Sequence, residues 1–493
     1  MDEPLYRPLS LSRRRDPHAE VRVAWSPPVT IPPAQLRVTF VRTLRWGVEL
    51  NVMLARLVWA WITGRPMTRA LGVMLREMFR RMGGTAVKLG QQLSLRIDFL
   101  PPEVCEELGA LTDRVGPIPF EDARRAVESA IGGTIESRFE RFDREPVGAA
   151  SIACVYKAVL KSGDVVAVKV QRPTAAREFA SDLQVFDGYT RALEAAGVVR
   201  PGFFEFMRRE VRAMFLEELD FAREARYQKL YRAYARRDGL DWLTAPKVYP
   251  ELSSDRVMVS EFIDGLSCAE LVRLAESDDP EDLGLLRARE IEPSRLAERI
   301  LLVSVWSRME SPFFHADPHP ANILIQPGGR VCMIDFGSCG TNPSATLRNH
   351  AELLPRLLDF DVDGALDVMT RDLAPLPRVD VAALTHELRK RLLSHQLAWA
   401  DRPSRTSAGA RWWERTTASI WVANMEVAQR FEIPVNLDTL RFMRATMAYD
   451  TLAYRIDPHV SDAVIREQLR DAEARFARRV VKRARRDLGR LRA

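Results

Sequence analysis

The sequence has few cysteines and no long uncharged apolar run. Its five cysteines are scattered over 493 residues without C-x-x-C spacing, so neither a disulfide framework nor a zinc knuckle is predicted. The most apolar stretch, residues 46–62, is too short to span a bilayer and carries Glu49 and Arg56, so we expect no transmembrane helix. A reducing cytoplasm is the expected compartment.

The sequence also lacks a strong excess of charge of either sign. It has 73 Lys and Arg against 67 Asp and Glu, a net charge of +6, and 46% of its residues are hydrophobic. This composition is ordinary for a folded protein and excludes disorder of the whole chain. The exception is residues 466–492, a cationic and helix-forming tail. It is either a solvated surface helix or a contact with anionic lipid headgroups. Nucleic-acid binding is not expected, because aromatic residues are almost absent from the tail.

The order of periodic segments predicts an α+β fold. Apolar residues in 69–82 fall on one helix face, which ends at Gly83-Gly84. Residues 151–158 and 165–170 alternate around a turn at 161–164, which predicts a β-hairpin. Later segments predict helices at 201–236 and 296–309, strands at 256–262, 323–326 and 331–334, and a mostly helical chain after Pro343 that is interrupted by a polar linker at 401–409.

We expect five segments in this order. They are a flexible arm (1–33), a helical extension (34–140), a small mixed lobe (141–265), a large helical lobe (266–460) and a basic C-terminal helix (461–493).

The strongest functional signal is a set of oxygen-bearing side chains at fixed spacing. Asp317 lies five positions before Asn322, and Asp335-Phe336-Gly337 begins thirteen positions after Asn322. In a kinase, the first aspartate acts as base or orients the attacking group, and the asparagine and the second aspartate hold Mg²⁺. An isolated Asp-Phe-Gly would also suit an ordinary turn. The combination predicts phosphoryl transfer from ATP.

A lysine and two acids upstream fit the same chemistry. Lys169 ends an apolar strand, like the kinase lysine that holds the α- and β-phosphates, although a lysine in this position could also simply reach solvent. Glu218 shares a predicted helix face with apolar residues, and a carboxylate there requires a cation. Lys169 is the expected partner of Glu218, and Glu224 is a second acid available to the same cavity.

The loop expected to cover the phosphates is unusual. Neither G-x-G-x-x-G nor G-x-x-x-x-G-K-[ST] occurs before Lys169. The corresponding place is occupied by Gly148, Ala149, Ala150 and Ser151. Alanine restricts φ more than glycine does, so we expect nucleotide to be held differently from the protein-kinase pose. Glu261, near the end of the strand predicted at 256–262, is a further nucleotide-binding candidate.

Together, these blocks resemble the UbiB/AarF family of atypical kinases, called ADCK in animals, over about residues 82–337. Lys88-Leu89-Gly90-Gln91 looks like the K-x-G-Q signature of that family. Residues 218–221 with 224–225 look like its E-L-D-F-x-x-E-A element, and residues 149–151 like its alanine-rich loop. The sequence departs from the family pattern at Gly148, which begins the alanine-rich loop, at Cys154 and Tyr156 of the following strand, at Tyr227, and at Ala321 before Asn322.

The resemblance implies a two-lobed protein-kinase-like fold with the K-x-G-Q helices over the groove that admits peptides in a protein kinase. It implies that Lys88 and Gln91 belong to the nucleotide site, with ATP and Mg²⁺ bound. The implied activity is ATP hydrolysis or small-molecule phosphorylation in isoprenoid-quinone (ubiquinone) or related lipid biosynthesis. The implied partners are an isoprenoid lipid or quinone precursor, other quinone-biosynthesis proteins, and an anionic surface on the inner face of the cell membrane.

Two other functions remain open at this point. An aminoglycoside- or choline-type phosphotransferase also uses a His-x-Asp-x-x-x-x-Asn loop, but the K-x-G-Q segment argues against it. A nucleotide-binding pseudokinase scaffold or lipid chaperone would not need turnover. Retention of Asp317, Asn322 and Asp335 argues against a dead site.

Overall fold

The structure is a computed structural model that describes most of residues 32–460. The gaps are residues 65–66, 84, 95–99, 112–115, 198–203, 278, 343–348, 350–351, 354, 358, 360, 374–375, 377, 401–423, 429, 432, 434–436 and 459. The expected flexible arm, except for residues 32 and 33, therefore lies outside the described residues, as do the polar linker at 401–409 and the basic tail.

The described part of the chain begins with a helical extension that contains four helices. These are α1 (Leu36–Ile62), α2 (Met67–Met82), α3 (Thr85–Leu93) and α4 (Pro102–Gly109). The helix predicted at 69–82 is present as α2, and it ends at Gly83, whose φ of 68° is left-handed. Buried Phe79 and Leu108 of this extension share one apolar cluster with Phe179 and Phe215. The extension is thus packed onto the next part of the chain.

The small lobe is built on an antiparallel sheet of order β1-β2-β3-β5. The strands are β1 (Phe139–Ala149), β2 (Ala153–Leu160), β3 (Val165–Gln171) and β5 (Val257–Glu261), and the predicted hairpin is β2 with β3. The helices α5 (Phe120–Ile131) and α6 (Ile135–Arg138) precede the sheet, and α7 (Ala175–Ala195), α8 (Glu205–Leu219) and α9 (Phe221–Arg237) follow β3.

The large lobe combines helices with two small sheets. One sheet has the order β4-β9-β8-β6, formed by β4 (Leu243–Thr244), β6 (Leu266–Ser267), β8 (Ile323–Gln326) and β9 (Arg330–Met333). In the other, β7 (Phe313–His315) pairs with β10 (Cys339–Thr341). The helices are α10 (Cys268–Ala275), α11 (Pro280–Ala288), α12 (Pro293–Met309), α13 (Val362–Asp372), α14 (Val381–Ala400) and α15 (Leu437–Ile456).

The main core of this lobe joins its helices to the loop that contains Asp335. Trp306 of α12, Tyr231 of α9 and Phe336 are fully buried in one cluster. The Tyr231 ring lies 5.3 Å from Trp306 and 5.2 Å from Phe336. The predicted two-lobed α+β fold is confirmed, and the five-segment division stays a prediction.

The prediction of one long helix at 201–236 is wrong in one respect, because the helix breaks at Asp220. This residue has φ −93° and ψ 81°, and its side chain accepts a hydrogen bond from the Arg223 backbone N–H at 2.8 Å. Aspartate is a favoured N-cap residue, so it ends α8 and begins α9. As a result, Glu218 and Glu224 lie on different helices.

Across the described helices, none combines the length and the apolar content needed to cross a bilayer.

Gly90 of α3 provides a test of how the extension packs. A Cβ at this position would clash with the Leu111 side chain and lie 2.8 Å from the Phe79 ring. Since overpacking a core costs about 1–3 kcal/mol, we expect Gly90→Ala to lower the free energy of unfolding by that amount, as measured by urea denaturation.

Gly188→Ala is the matched control, because Gly188 lies within α7 and a Cβ there meets nothing within 4 Å. The higher helix propensity of alanine should make this variant neutral, or more stable by up to about 1 kcal/mol. Equal stability of Gly90→Ala and wild type would contradict the close packing of α3.

Candidate active site

Lys169 on β3 forms a buried ion pair with Glu224 in the first turn of α9. Lys169 Nζ lies 2.6 Å from Glu224 Oε1, and the Glu224 side chain is only 3% exposed. Burial raises the pKa of Glu224 to about 7, although Lys169 opposes this shift. Burial would lower the pKa of Lys169, but Asp335 and Glu224 outweigh it and hold that pKa above its usual value. Lys169 therefore stays cationic.

Glu218 is paired with Lys88 and not with Lys169, which corrects the expected partner. Lys88 Nζ of α3 lies 3.3 Å from Glu218 Oε1 at the end of α8. The two glutamates were expected on one continuous helix, whereas the break at Asp220 places them on different helices and beside different lysines. The Lys88–Glu218 pair still lies close to Lys169 and Asp335, because Asp335 and Glu218 both approach Gly337. A Cβ at Gly337 would lie 3.2 Å from Asp335 Oδ1 and 3.9 Å from Glu218 Oε2.

Asp335 projects its carboxylate towards Lys169 from a left-handed backbone. Its φ is 59°, a conformation that aspartate and asparagine tolerate better than most residues. Asp335 Oδ1 lies 3.3 Å from Lys169 Nζ and accepts the Gly337 N–H at 3.3 Å. Partial desolvation would raise the pKa of Asp335, but Lys169 and then Lys88 hold that pKa well below its usual range. Half of the side chain is exposed, so the charged carboxylate is accessible to a ligand.

The segment from Asp317 to Asn322 is fixed to the strand before Asp335. Asn322 donates through Nδ2 to the Asp317 carbonyl at 3.1 Å and to Asp317 Oδ2 at 3.3 Å. The Ile334 N–H donates to the Asn322 carbonyl at 2.9 Å. These contacts bring the three oxygen-bearing residues of the sequence motif into one region.

His315 contacts the same two segments, one before Asp335 and one at Asp317. Its Nε2 lies 3.0 Å from the Ile334 carbonyl, and its Nδ1 lies 3.3 Å from the Asp317 backbone nitrogen. A neutral ring with hydrogen on Nε2 satisfies both contacts, because Nε2 then donates and Nδ1 accepts. Burial lowers the pKa of His315 and favours this neutral form.

The sequence reading missed two arginines on α15. Arg444 donates to Asp317 Oδ1 at 2.9 Å. One turn earlier, buried Arg441 donates to Glu217 Oε2 at 2.7 Å. No motif marks these residues. The only signal is that two arginines three positions apart interrupt an otherwise apolar stretch of a helix.

Arg223 is a third arginine that the motifs did not indicate. It donates to the carbonyls of Gly337 at 3.2 Å and Cys339 at 3.3 Å. It therefore fixes the backbone that follows Asp335.

The donor set fits Mg²⁺. Asn322 uses its amide nitrogen on Asp317, which leaves its carbonyl oxygen as a ligand, and Asp335 supplies a charged carboxylate. Among the residues that the structure describes, no group of three or more His, Cys, Asp or Glu is arranged to hold a metal. Mg²⁺ is typically bound by one or two carboxylates with phosphates and water, so Asp335 and Asn322 suffice as the protein's share.

The alanine-rich loop is held in place by Arg172. Ala149 is the last residue of β1, and the Ala150 N–H donates to the Ala153 carbonyl at 2.8 Å. Arg172 Nε donates to the Ala150 carbonyl at 2.7 Å, and Arg172 Nη2 donates to the Gly116 carbonyl at 2.5 Å. The turn that contains buried Ser151 is thus fixed by a side chain just after β3.

Two predicted nucleotide-binding residues make local contacts. Gln91 Nε2 donates to the Leu111 carbonyl at 3.0 Å. Glu261 Oε2 accepts from Arg232 at 2.9 Å and from the Lys247 backbone N–H at 3.0 Å. These contacts do not bring them to the Lys169 cluster, and their roles in nucleotide binding stay predictions.

A family comparison decides the identity of the domain. Residues 110–369, more than half of the chain, match the ABC1 atypical kinase-like domain. The chain belongs to the ABC1 atypical kinase family. This confirms the resemblance to UbiB/AarF proteins, and the chain carries a phosphotransferase-like, kinase-like domain.

Named relatives agree with this membership. The chain is 32% identical over 321 residues to "Protein ACTIVITY OF BC1 COMPLEX KINASE 8, chloroplastic" of Arabidopsis thaliana. This alignment covers 64% of this chain and 40% of that protein. The chain is also 33% identical over 319 residues to "Probable protein kinase UbiB" of Vibrio atlanticus, and this alignment covers 63% of this chain and 55% of that protein. The matched region thus spans about half the length of these curated relatives or less.

Among solved structures, the chain resembles that of the Rv3197–erythromycin complex from Mycobacterium tuberculosis. The identity is 24% and the TM-score is 0.43, with 76% of this chain and 93% of that chain covered.

The ABC1 match leaves two of the site's cations outside its limits. Lys169, Asp317, Asn322 and Asp335 lie within residues 110–369. Lys88 of α3 precedes the match and Arg444 of α15 follows it. Helices that precede and follow the family domain in the sequence therefore contribute cations to the candidate site of this ABC1 protein.

His315 predicts a specific pH dependence of stability. An unfolded histidine has a pKa near 6.5, and the folded pKa is lower because of burial. As the pH falls below about 6.5, the unfolded chain takes up a proton that the folded state does not, so stability falls by up to about 1.4 kcal/mol per pH unit. We expect His315→Gln to make the fall in Tm between about pH 7.5 and 5.5 shallower.

His386→Gln is the matched control, because His386 is an exposed residue on α14. Its Tm profile should parallel that of wild type. Parallel profiles for all three proteins would show that His315 does not contribute to the acid sensitivity.

Proposed function

We propose that the cleft between β3 and the segment from Asp317 to Asp335 binds Mg-ATP and catalyses ATP hydrolysis or phosphoryl transfer to a small molecule. One observation carries this proposal. Lys169 Nζ lies 2.6 Å from Glu224 and 3.3 Å from Asp335, and Asn322 lies 3.3 Å from the Asp317 carboxylate. A phosphate-binding cation, two metal ligands and an acceptor-orienting carboxylate are the components that phosphoryl transfer requires.

Each residue takes a role that its contacts support. Lys169, oriented by Glu224, holds the phosphates of ATP, and Asp335 with Asn322 holds Mg²⁺. When bound, Mg²⁺ neutralises charge that develops on the phosphate oxygens. Asp317, fixed by Asn322, orients the attacking oxygen and accepts its proton. Glu218 fixes Lys88 beside Asp335, which adds positive charge near the phosphates.

The acceptor is proposed to be water or a small molecule and not a protein. Lys88 of α3 reaches Glu218 at 3.3 Å, so the K-x-G-Q helix occupies one side of the cleft. After Gly337, the chain begins β10 within two residues and pairs with β7. This leaves no room directly after Gly337 for a long loop that would present a peptide.

The proposed biological role is isoprenoid-quinone or related lipid biosynthesis. It is supported by ABC1 membership and by relatives named UbiB and activity of bc1 complex kinase. Identification of the products formed from ATP, with and without quinone precursors, would separate turnover from the alternative of a nucleotide-binding scaffold.

Asp335→Asn tests nucleotide and metal binding directly. Asparagine tolerates the left-handed backbone of this position, so the variant should fold, whereas alanine would add backbone strain. Wild type should be stabilised by Mg-ATP, by about 2.7 kcal/mol at 100 times its Kd. We expect Asp335→Asn to lose this stabilisation because it lacks the charged metal ligand, as measured by thermal shift with and without Mg²⁺.

Asp367→Asn is the matched control. Asp367 lies on α13 with its side chain 70% exposed, and it pairs only weakly with Arg371 at 3.4 Å. It should respond to Mg-ATP as wild type does. Full stabilisation of Asp335→Asn by Mg-ATP would refute the assignment of the metal site.

We also propose that α1 attaches the protein to a lipid surface. Its inner face packs through Trp46, Leu50 and Met53. Its outer face exposes a continuous series of apolar side chains, and Trp59 and Trp61 near its end are 63% and 72% exposed. The other members are Leu36, Phe40, Val41, Leu44, Val48, Val52, Leu54, Val58 and Ile62. An apolar helix face with tryptophans at its end suits the interfacial region of a bilayer.

The test is co-sedimentation with vesicles of phosphatidylcholine, alone or mixed with phosphatidylglycerol. Trp59→Gln with Trp61→Gln should reduce binding to both kinds of vesicle. Because apolar insertion is not screened by salt, the contribution of α1 should persist at about 1 M salt, where the Debye length is about 3 Å.

The matched control exchanges two exposed apolar residues elsewhere, Val381→Gln with Leu285→Gln, which are 52% and 54% exposed in wild type. The control should bind vesicles as wild type does. Equal binding by the α1 variant and wild type would overturn this attachment and leave the basic tail as the remaining membrane element.

A further inference from the structure

We propose that Arg444 on α15 is a catalytic residue that neutralises the transferred phosphoryl group on its acceptor side. This inference rests on the proposed function and adds a group that lies outside the ABC1 domain match. Arg444 Nη2 donates a hydrogen bond to Asp317 Oδ1 at 2.9 Å, which joins residues 127 positions apart.

The pair lies where a ligand can reach it. The side chains of Arg444 and Asp317 are each 33% exposed. The second oxygen of the carboxylate, Oδ2, accepts from Asn322 at 3.3 Å. Both carboxylate oxygens therefore have donors, and Oδ1 becomes available to an acceptor only when Arg444 moves away from it.

The position of Asp317 also fixes the distance from Arg444 to the reacting atoms. An oxygen that gives its proton to Asp317 must lie within hydrogen-bond reach of it. Arg444 is also within hydrogen-bond distance of Asp317. Its guanidinium is therefore within about 6 Å of that acceptor oxygen, which is the sum of two hydrogen-bond lengths. Arginine suits this place, because it stays charged and its planar fork matches phosphate oxygens.

The other cations of the cleft are committed elsewhere. Lys169 contacts Glu224 and Asp335, and Lys88 contacts Glu218. They therefore neutralise the donor side, where the proposed function places the nucleotide phosphates. Arg444 supplies positive charge at Asp317, where the bond to the acceptor forms.

The helix that carries Arg444 is held firmly. α15 packs against α12 and against β10. One turn before Arg444, buried Arg441 donates to Glu217 at 2.7 Å, the residue adjacent to Glu218. The register that places Arg441 against α8 also places Arg444 against Asp317, so the guanidinium is presented from a rigid element.

The bond between the γ-phosphorus and the oxygen bridging to ADP breaks, and a bond forms between that phosphorus and the acceptor oxygen of water or a hydroxyl group. The acceptor's proton passes to Asp317 Oδ1 after Arg444 has moved from that oxygen to the phosphoryl oxygens. Arg444 stays protonated throughout.

The experiment compares MgADP with MgADP plus aluminium fluoride, which mimics the transferring phosphoryl group. Kd is measured by calorimetry on the full chain. Wild type should bind MgADP more tightly when fluoride is present. Arg444→Gln should keep the Kd for MgADP and lose the gain from fluoride, and its ATP turnover should fall on the order of 10²- to 10³-fold.

Arg455→Gln is the matched control on the same helix. Arg455 forms an exposed ion pair with Glu276 at 2.8 Å, and its variant should show the wild-type fluoride gain. If Arg444→Gln does not fold, Arg444→Lys carries the same test, because lysine keeps the charge but lacks the planar fork. It should lose most of the gain.

The outcomes separate the two proposals. No binding of MgADP by wild type would overturn the proposed function and this inference with it. MgADP binding without a fluoride gain in wild type would overturn the role of Arg444 and leave the proposed nucleotide binding standing. A wild-type fluoride gain in the folded Arg444 variant would also overturn only that role.

Discussion

The site depends on the ion pair between Lys169 and Glu224. It joins the middle of the small-lobe sheet to the first turn of α9 at 2.6 Å, with Glu224 almost completely buried. Removing one partner of such a pair leaves an uncompensated buried charge, which costs about 3–5 kcal/mol. The pair therefore fixes where Lys169 points, and that direction brings it within 3.3 Å of Asp335.

In the large lobe, a set of backbone contacts holds Asp335 opposite this fixed cation. His315 and Asn322 each bond the main chain at Ile334, directly before Asp335. Arg223 bonds the carbonyls of Gly337 and Cys339, directly after it. With both flanks held, the left-handed conformation of Asp335 is maintained at a position where its carboxylate faces the cleft.

Elements outside the ABC1 match complete the site with charge. Lys88 arrives from α3 and pairs with Glu218, and Arg444 arrives from α15 and pairs with Asp317. The first adds positive charge beside Asp335, and the second adds it beside Asp317. The family domain thus contains Lys169 and the proposed metal ligands Asn322 and Asp335, whereas the flanking helices add the cations that would surround a transferred phosphoryl group in the proposed reaction.

The sequence by itself determined the fold class, the β2–β3 hairpin and the identity of the motif residues, because these follow from local periodicity and from short, fixed spacings. It did not determine which acid pairs with which lysine, since the break at Asp220 rotates Glu224 away from the face of Glu218. Nor could it reveal that Arg444 reaches Asp317 across 127 positions. Contacts of this kind depend on how helices pack, and packing is decided by the whole tertiary structure.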